Sequence, residues 1–175
     1  MLPALFLTLL AGCAAPSPVP HVSVYFSPKG GCTEAIVGEL GRAKRLVLVQ
    51  AYSLTSPPIA RALVDAHRYG VRVEVILDKS QRTHRLSSAD LLAGAGIPVK
   101  IDAAHGAARN AVIIIDGETV ITGSFPFTPA AEEHHAENLL IIRNRSLAER
   151  YLRNYLEHAR HSEPYTARPK TDLGF

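Results

Sequence analysis

Short apolar runs alternate with segments of helical periodicity from His21 onward, and this alternation is the feature that most constrains the fold. The apolar or alternating runs predict strands at residues 22–26, 46–51, 71–77, 98–101, 112–115, 119–122 and 139–142. The helical patterns predict helices at residues 33–43, 57–69, 90–95 and 147–161. Strands that alternate with helices are typical of a layered α/β domain. We therefore predict a sheet flanked by helices.

Turn and cap signals delimit several of these elements. Asp116-Gly117 lies between two predicted strands and is a strong hairpin signal. Ser56, followed by two prolines, is expected to begin the second helix. The segments 87–90 and 146–149 each resemble a capping box, so we expect Ser87 and Ser146 to cap the third and the final helix.

The length of the chain allows one domain. A chain of 175 residues with 47% hydrophobic side chains can build a single sizeable core, but a second full domain does not fit. We divide it into a leader and tether (residues 1–20), the α/β domain (21–163) and a loose tail (164–175).

The first twenty residues are typical of an export signal. Their apolar run, residues 2–10, is too short to span a bilayer as a mature helix. Leu10-Ala11-Gly12-Cys13 resembles the lipobox of bacterial lipoproteins, which predicts a lipid-modified Cys13 in an exported, periplasmic or membrane-anchored protein. Cleavage near residues 14–15 and an uncleaved anchor are alternatives. A lipidated Cys13 would leave Cys32 without a disulfide partner in the chain.

The charge of the chain favours anionic partners. Its formal net charge is +3 and its pI is near 9.0, and 14 of its 19 basic residues are arginines. A guanidinium can hold a phosphate through two parallel hydrogen bonds. A basic run follows the third predicted strand, and it could contact nucleic acid or anionic lipid or be solvated loop charge; its members are Lys79, Arg82, His84 and Arg85.

The most informative stretch is residues 105–142. Asp116 is followed after six residues by Gly123-Ser124, and Ala-Glu-Asn stands at 136–138. This pattern resembles the bacterial endonuclease branch of the phospholipase D superfamily. That family's motif is His, any residue, Lys, four residues, Asp, six residues and Gly-Ser, with Asn two beyond the Ser. Segments 25–32, 49–53 and 75–82 are similar to the same branch. The resemblance implies a mixed sheet flanked by helices.

Three positions depart from the motif. Counting from Asp116 and Ser124 puts Arg109 at the histidine, Ala111 at the lysine and Pro126 at the asparagine. The resemblance implies that the histidine attacks phosphorus and that a second histidine, from a paired motif, protonates the leaving oxygen. Arginine stays protonated and has no lone pair, so it can do neither.

The resemblance also implies where the remaining site residues lie. Asp116, Ser124 and Glu137 survive at catalytic positions, and Arg109 with Ser124 could still bind a phosphate. Alternatively, Arg109 pairs with Glu137 or Asp116 in a decayed site. Since the chain has a single motif, the resemblance implies a homodimer.

Three functions follow, with no cofactor in any of them. We expect a catalytically impaired protein that binds phosphodiesters or nucleic acid. An active, metal-independent phosphodiesterase (endonuclease or phospholipase D) and a structural dimerisation module are the alternatives. A metal site built from His105, His134, His135 and Glu137 is conceivable, but their spacing matches no closed zinc motif, so we expect none.

Overall fold

The computed structural model describes residues 21–168, which form one sheet with helices on both faces. The strands are β1 (His21–Ser27), β2 (Leu46–Ala51), β3 (Arg72–Asp78), β4 (Val99–Asp102), β5 (Ala111–Ile115), β6 (Thr119–Gly123), β7 (Glu137–Arg143) and β8 (Glu163–Pro164). The helices are α1 (Cys32–Leu40), α2 (Pro57–Arg68), α3 (Ala89–Gly94), α4 (Pro129–Glu133) and α5 (Arg145–His161), with a 3-10 turn at Lys79–Arg82.

The eight strands are ordered β1-β7-β6-β5-β2-β3-β4-β8. β2, β3 and β4 run parallel, and the other neighbouring strands pair antiparallel. The mixed sheet flanked by helices is therefore confirmed. Helical crossovers join the parallel strands, as parallel pairing requires.

The sheet has a hydrophobic core on each face. The larger core lies under α1 to α4, and Ile36, Leu63 and Phe125 are among its fully buried members. The smaller core lies under α5, where Ile114 and Tyr155 meet. Central strands covered on both faces explain the continuous apolar runs that the sequence shows at β2 and β5.

The hairpin predicted at Asp116-Gly117 is confirmed. Both residues have positive φ, 55° and 71°, and the N–H of Glu118 donates to the carbonyl of Ile115 over 3.0 Å. The Asp116 carboxylate accepts three hydrogen bonds, of 2.8–3.0 Å, from the backbone N–H groups of residues 44–46. Burial alone would raise the pKa of Asp116, but these three bonds outweigh it and lower the pKa. Asp116 thus ties the hairpin to the start of β2.

Two predicted helix caps are wrong. α5 is capped by Asn144, whose side chain accepts from the N–H of Leu147 over 2.9 Å, and Ser146 lies inside the first turn. α3 has no capping box, because the Asp90 carboxylate is used elsewhere. It accepts hydrogen bonds from the Tyr165 hydroxyl and from the backbone and guanidinium of Arg168.

The expectation of a loose tail from residue 164 is also wrong as far as Arg168. Pro164 pairs with Lys100 of β4, and the contacts of Tyr165 and Arg168 with Asp90 hold the following residues against α3. A short polar segment has no periodicity that would predict such docking. Residues 1–20, with the predicted lipidation site Cys13, and residues 169–175 lie outside the described part. Among the described helices, none combines the length and apolar character that crossing a bilayer requires.

Candidate phosphodiester site

The motif positions meet at one edge of the sheet. Ala111 begins β5 and pairs with Ala51 at the end of β2, while Gly123 ends β6 and pairs with Leu139 of β7. Because β5 and β6 are antiparallel, the start of β5 and the end of β6 lie at the same edge. Arg109, just before β5, and Ser124, just after β6, therefore both lie at this edge.

Arg109 is exposed and lies over an aromatic ring. Its Cζ is 5.0 Å from the centroid of the Tyr52 ring, a cation–π distance. Within residues 21–168, no carboxylate lies close enough to form an ion pair with it. The alternative pairing of Arg109 with Glu137 or Asp116 is not present. The guanidinium is held at the sheet edge with its charge available.

Ser124 is anchored by a residue that the sequence analysis did not single out. Its Oγ accepts hydrogen bonds from the backbone N–H and from the side-chain amide of Asn138, each over 3.1 Å. Two accepted bonds fill the lone pairs of the hydroxyl and leave its own hydrogen free to donate. The preceding glycine is required, because a Cβ at Gly123 would lie 2.2 Å from the Asn138 carbonyl oxygen. Asn138 follows Glu137 in β7, but its contact with Ser124 is made across the β6–β7 pair, so spacing along the chain does not reveal it.

Pro126 and Glu137 flank this edge. Pro126 is half-buried and lies between Phe125 and Phe127, which are both fully buried and anchor this segment in the larger core. Glu137 is the half-buried first residue of β7 and pairs in register with Ser27. Pro126 has no N–H and offers no donor at the asparagine position.

Asp116 does not belong to this edge. It follows the last residue of β5, so the length of that strand, about 17 Å at 3.3 Å per residue, separates it from the site. Its carboxylate binds the three backbone N–H groups already described. We correct the catalytic position that the motif implied for Asp116 to a structural one.

A second cluster of polar side chains lies at the ends of β4 and α5. It contains the carboxylate of Asp102 and the rings of His105, His158 and His161, and among the described residues it is the one group suited to hold a metal ion. Burial by itself would raise the pKa of Asp102, but hydrogen bonds from His158, His105 and His161 lower it to about 2.

The metal ligands considered from the sequence alone do not assemble. His105 belongs to the cluster with Asp102, whereas His134 and His135 are exposed residues that follow α4. The signal missed in the sequence was the three-residue spacing of His158 and His161, which puts both rings on one face of a helix.

The predicted basic run is partly engaged within the domain. The Lys79 ammonium donates to the carbonyl of His105 over 2.8 Å, and Arg82 pairs with Glu163. His84 and Arg85 are exposed. Two of the four members, Lys79 and Arg82, are therefore committed to contacts with distant parts of the domain, and His84 accepts a local hydrogen bond from the N–H of Leu86.

Comparison with known proteins places this sheet and motif among proteins with a phosphodiesterase fold. Residues 36–159 match the protein-family model described as cardiolipin synthase, PLD-like domain. The match covers most of the chain. The chain belongs to the phospholipase D family.

Individual relatives agree with this assignment. The chain is 45% identical over 135 residues to a phospholipase D of Rickettsia felis, across 77% of this chain and 68% of the relative. It is 32% identical over 138 residues to a mitochondrial cardiolipin hydrolase of Xenopus laevis, across 79% of this chain and 62% of the relative. Among solved structures, the phospholipase D family member Nuc from Salmonella typhimurium superposes with a TM-score of 0.81 at 36% identity, covering 85% of this chain and 99% of Nuc.

Proposed function

We propose that this protein is a catalytically impaired member of its family that binds phosphodiesters, including nucleic acids, without hydrolysing them at the family's rate. The observation that carries the proposal is the exposed Arg109 guanidinium, which has no carboxylate partner in residues 21–168 and lies at the same sheet edge as Ser124. A fixed cation and a free hydroxyl donor suit the nonbridging oxygens of a phosphodiester.

The same residues argue against hydrolysis. Arg109 cannot act as a nucleophile or exchange a proton near neutral pH, because its guanidinium has no lone pair and stays charged. The Ala111 methyl group and the Pro126 ring offer no donor to developing negative charge. A homodimer does not remedy this, because the partner would supply the same residues.

The alternative, an active phosphodiesterase, rests on the intact framework around the site. The Gly123-Ser124 turn, the Asn138 contacts and the sheet edge are all in place. Release of nitrophenol from bis(p-nitrophenyl) phosphate in the presence of a chelator tests it. Turnover by the unmodified chain at a rate comparable with an active relative would replace our proposal with this alternative.

Arg109→Ala is expected to weaken phosphodiester binding about tenfold, because one charged contact to phosphate is lost. The slope of the logarithm of the binding constant against the logarithm of the salt concentration should also become shallower, by about the amount that one phosphate contact contributes. Fluorescence anisotropy of a labelled single-stranded DNA, repeated at several salt concentrations, measures both quantities.

Arg150→Ala is the matched control, since it removes the same charge from the exposed surface of α5. It should leave the affinity nearly unchanged. Single-stranded RNA and vesicles containing cardiolipin, tested in parallel, distinguish the sources of the phosphodiester. Equal affinity of Arg109→Ala and the unmodified chain for all three ligands would contradict the proposed pocket and favour the dimerisation module.

We further propose a homodimer, supported by an apolar stripe on the edge strand β1. Val22, Val24 and Phe26 lie on one face of this strand and are 46%, 49% and 65% exposed. Phe26 pairs in register with Asn138, so the stripe reaches the phosphodiester site. Large exposed apolar side chains on an edge strand such as β1 are typical of a protein–protein interface.

Sedimentation equilibrium is expected to give about twice the chain mass of 18.9 kDa for the unmodified protein. Phe26→Ser should shift the equilibrium toward monomer, because it removes apolar area from the interface. Tyr69→Ser is the control, since Tyr69 is 88% exposed and lies at the end of α2, away from β1. A monomeric unmodified chain, or equal effects of both variants, would contradict the proposed interface.

A further inference from the structure

Three histidines surround one buried carboxylate at the junction of β4 and α5. Asp102, the last residue of β4, is fully buried. Its Oδ atoms lie 2.6 Å from Nδ1 of His158, 3.1 Å from Nδ1 of His105 and 3.4 Å from Nε2 of His161. Two separate parts of the chain therefore supply the cluster: the end of β4 with the loop after it, and the last turn of α5.

The arrangement has the dimensions of a four-coordinate metal site. One donor atom from each of the four residues lies within 4.8 Å of the other three. A tetrahedral ion with bonds of about 2.0–2.1 Å holds its donors about 3.3 Å apart. The three ring centroids are nearly equidistant, at 4.9, 5.2 and 5.2 Å. Small side-chain rotations would bring the four donors to coordination distance.

The charges around Asp102 favour a bound cation. Within residues 21–168, no lysine or arginine pairs with this carboxylate, and its charged partners could only be the three imidazoles. A buried carboxylate is costly unless it is paired with positive charge or coordinates a metal. His105 and His161 are partly exposed, at 46% and 37% of their side chains, which leaves a path for an ion from solvent.

We propose that Asp102, His105, His158 and His161 bind one divalent transition-metal ion of the zinc type. Three imidazoles with one carboxylate suit zinc, whereas magnesium and calcium take mainly oxygen ligands. Four protein ligands close the coordination shell, so the ion has a structural role. It fastens α5 to β4 and to the loop that leads from His105 to Arg109.

The site is independent of the phosphodiester proposal. The full chain is freed of metal with a chelator, dialysed against zinc chloride and analysed by elemental mass spectrometry, with cobalt(II) as a spectroscopic probe of tetrahedral coordination. One zinc per chain is expected, together with a higher thermal midpoint, because an ion that binds only the folded state stabilises it. Arg109→Ala should leave this stoichiometry unchanged.

His158→Ala with His161→Ala should weaken zinc binding by about a hundredfold or more, because two of four ligands are lost. The matched control is His134→Ala with His135→Ala, which removes two exposed histidines outside the cluster and should bind as the unmodified chain does. His105→Ala, on an exposed loop, gives a second ligand variant if the α5 variant fails to fold.

Two results would overturn the metal site. The first is a folded chain that retains less than about a tenth of an equivalent of zinc, together with cluster variants whose thermal midpoints drop by the same amount whether or not zinc is added. The four residues would then form a hydrogen-bond network only. The second is equal loss of zinc from the control and the cluster variants, which would place the ion elsewhere.

Discussion

Arg109→His, Ala111→Lys and Pro126→Asn introduced together are expected to give a chain that hydrolyses bis(p-nitrophenyl) phosphate in the presence of a chelator, roughly a thousandfold or more faster than the unmodified chain. An imidazole at position 109 restores a group that can attack phosphorus and exchange a proton. The new lysine and asparagine supply donors to the nonbridging oxygens. Release of nitrophenol measures the rate.

The framework can accept these changes. Residue 109 is exposed, and residues 111 and 126 are half-buried at the sheet edge, so the new side chains have access to solvent. The control carries Asn at position 109 with the same lysine and asparagine, and it differs from the restored chain in the imidazole alone. The control should stay near the unmodified rate, because loss of a nucleophile costs several orders of magnitude.

A folded triple variant no faster than its control would show that catalysis fails for a reason beyond these three positions. Circular dichroism establishes whether the variant is folded. A fast unmodified chain would refute the proposed impairment directly.

Asp116→Asn is expected to lower the free energy of unfolding by about 2 kcal/mol near neutral pH, because hydrogen bonds to a charged acceptor are stronger than those to a neutral one. Asparagine tolerates the positive φ of this position, so the substitution tests the charge and not the turn. Its amide NH2 group would also face the N–H of Lys44, which now donates to the second carboxylate oxygen.

The difference in the free energy of unfolding between the unmodified chain and Asp116→Asn should depend on pH in a defined direction. The pKa of Asp116 is lower in the folded chain than its ordinary value near 3.9, so its stabilising contribution is complete above that value. It is lost as the pH falls through the lowered pKa. The gap between the unmodified chain and Asp116→Asn should therefore narrow below about pH 4, as measured by urea unfolding at a series of pH values.

Glu118→Gln is the control for this experiment. Glu118 lies in the same hairpin and forms only a surface ion pair with Arg145, which contributes well under 1 kcal/mol. If the difference in the free energy of unfolding between the unmodified chain and Asp116→Asn stayed constant down to pH 2, this would contradict the role assigned to the Asp116 carboxylate.

Most strands and helices could be predicted from the sequence because their signals are local. The run at β2 was predicted residue for residue, and β5 and β6 within one residue at an end, since buried strands need continuous apolar side chains. Helix caps were less predictable. Asn144 and Ser146 are both good cap residues, and only the direction in which the chain enters α5 decides between them.

The residues of the candidate site were likewise only partly predictable from the sequence. Motif spacing identified Arg109, Ala111, Ser124 and Pro126, because these positions depend on counts along two adjoining strands. It could not separate Asp116 from them, since residues at opposite ends of β5 are close in sequence and about 17 Å apart in space. Nor could it find Asn138 as the partner of Ser124, a contact made across the β6–β7 pair.

The sequence by itself therefore determined the layered fold, the family motif and its three substitutions, all of which follow from periodicity and spacing along the chain. Only the tertiary structure decided that Arg109 lies against Tyr52 and not beside a carboxylate, and that Asp102 and His105 meet His158 and His161. More than fifty residues separate His105 from His158. Packing of α5 onto the sheet brings these groups together, and no local pattern carries that information.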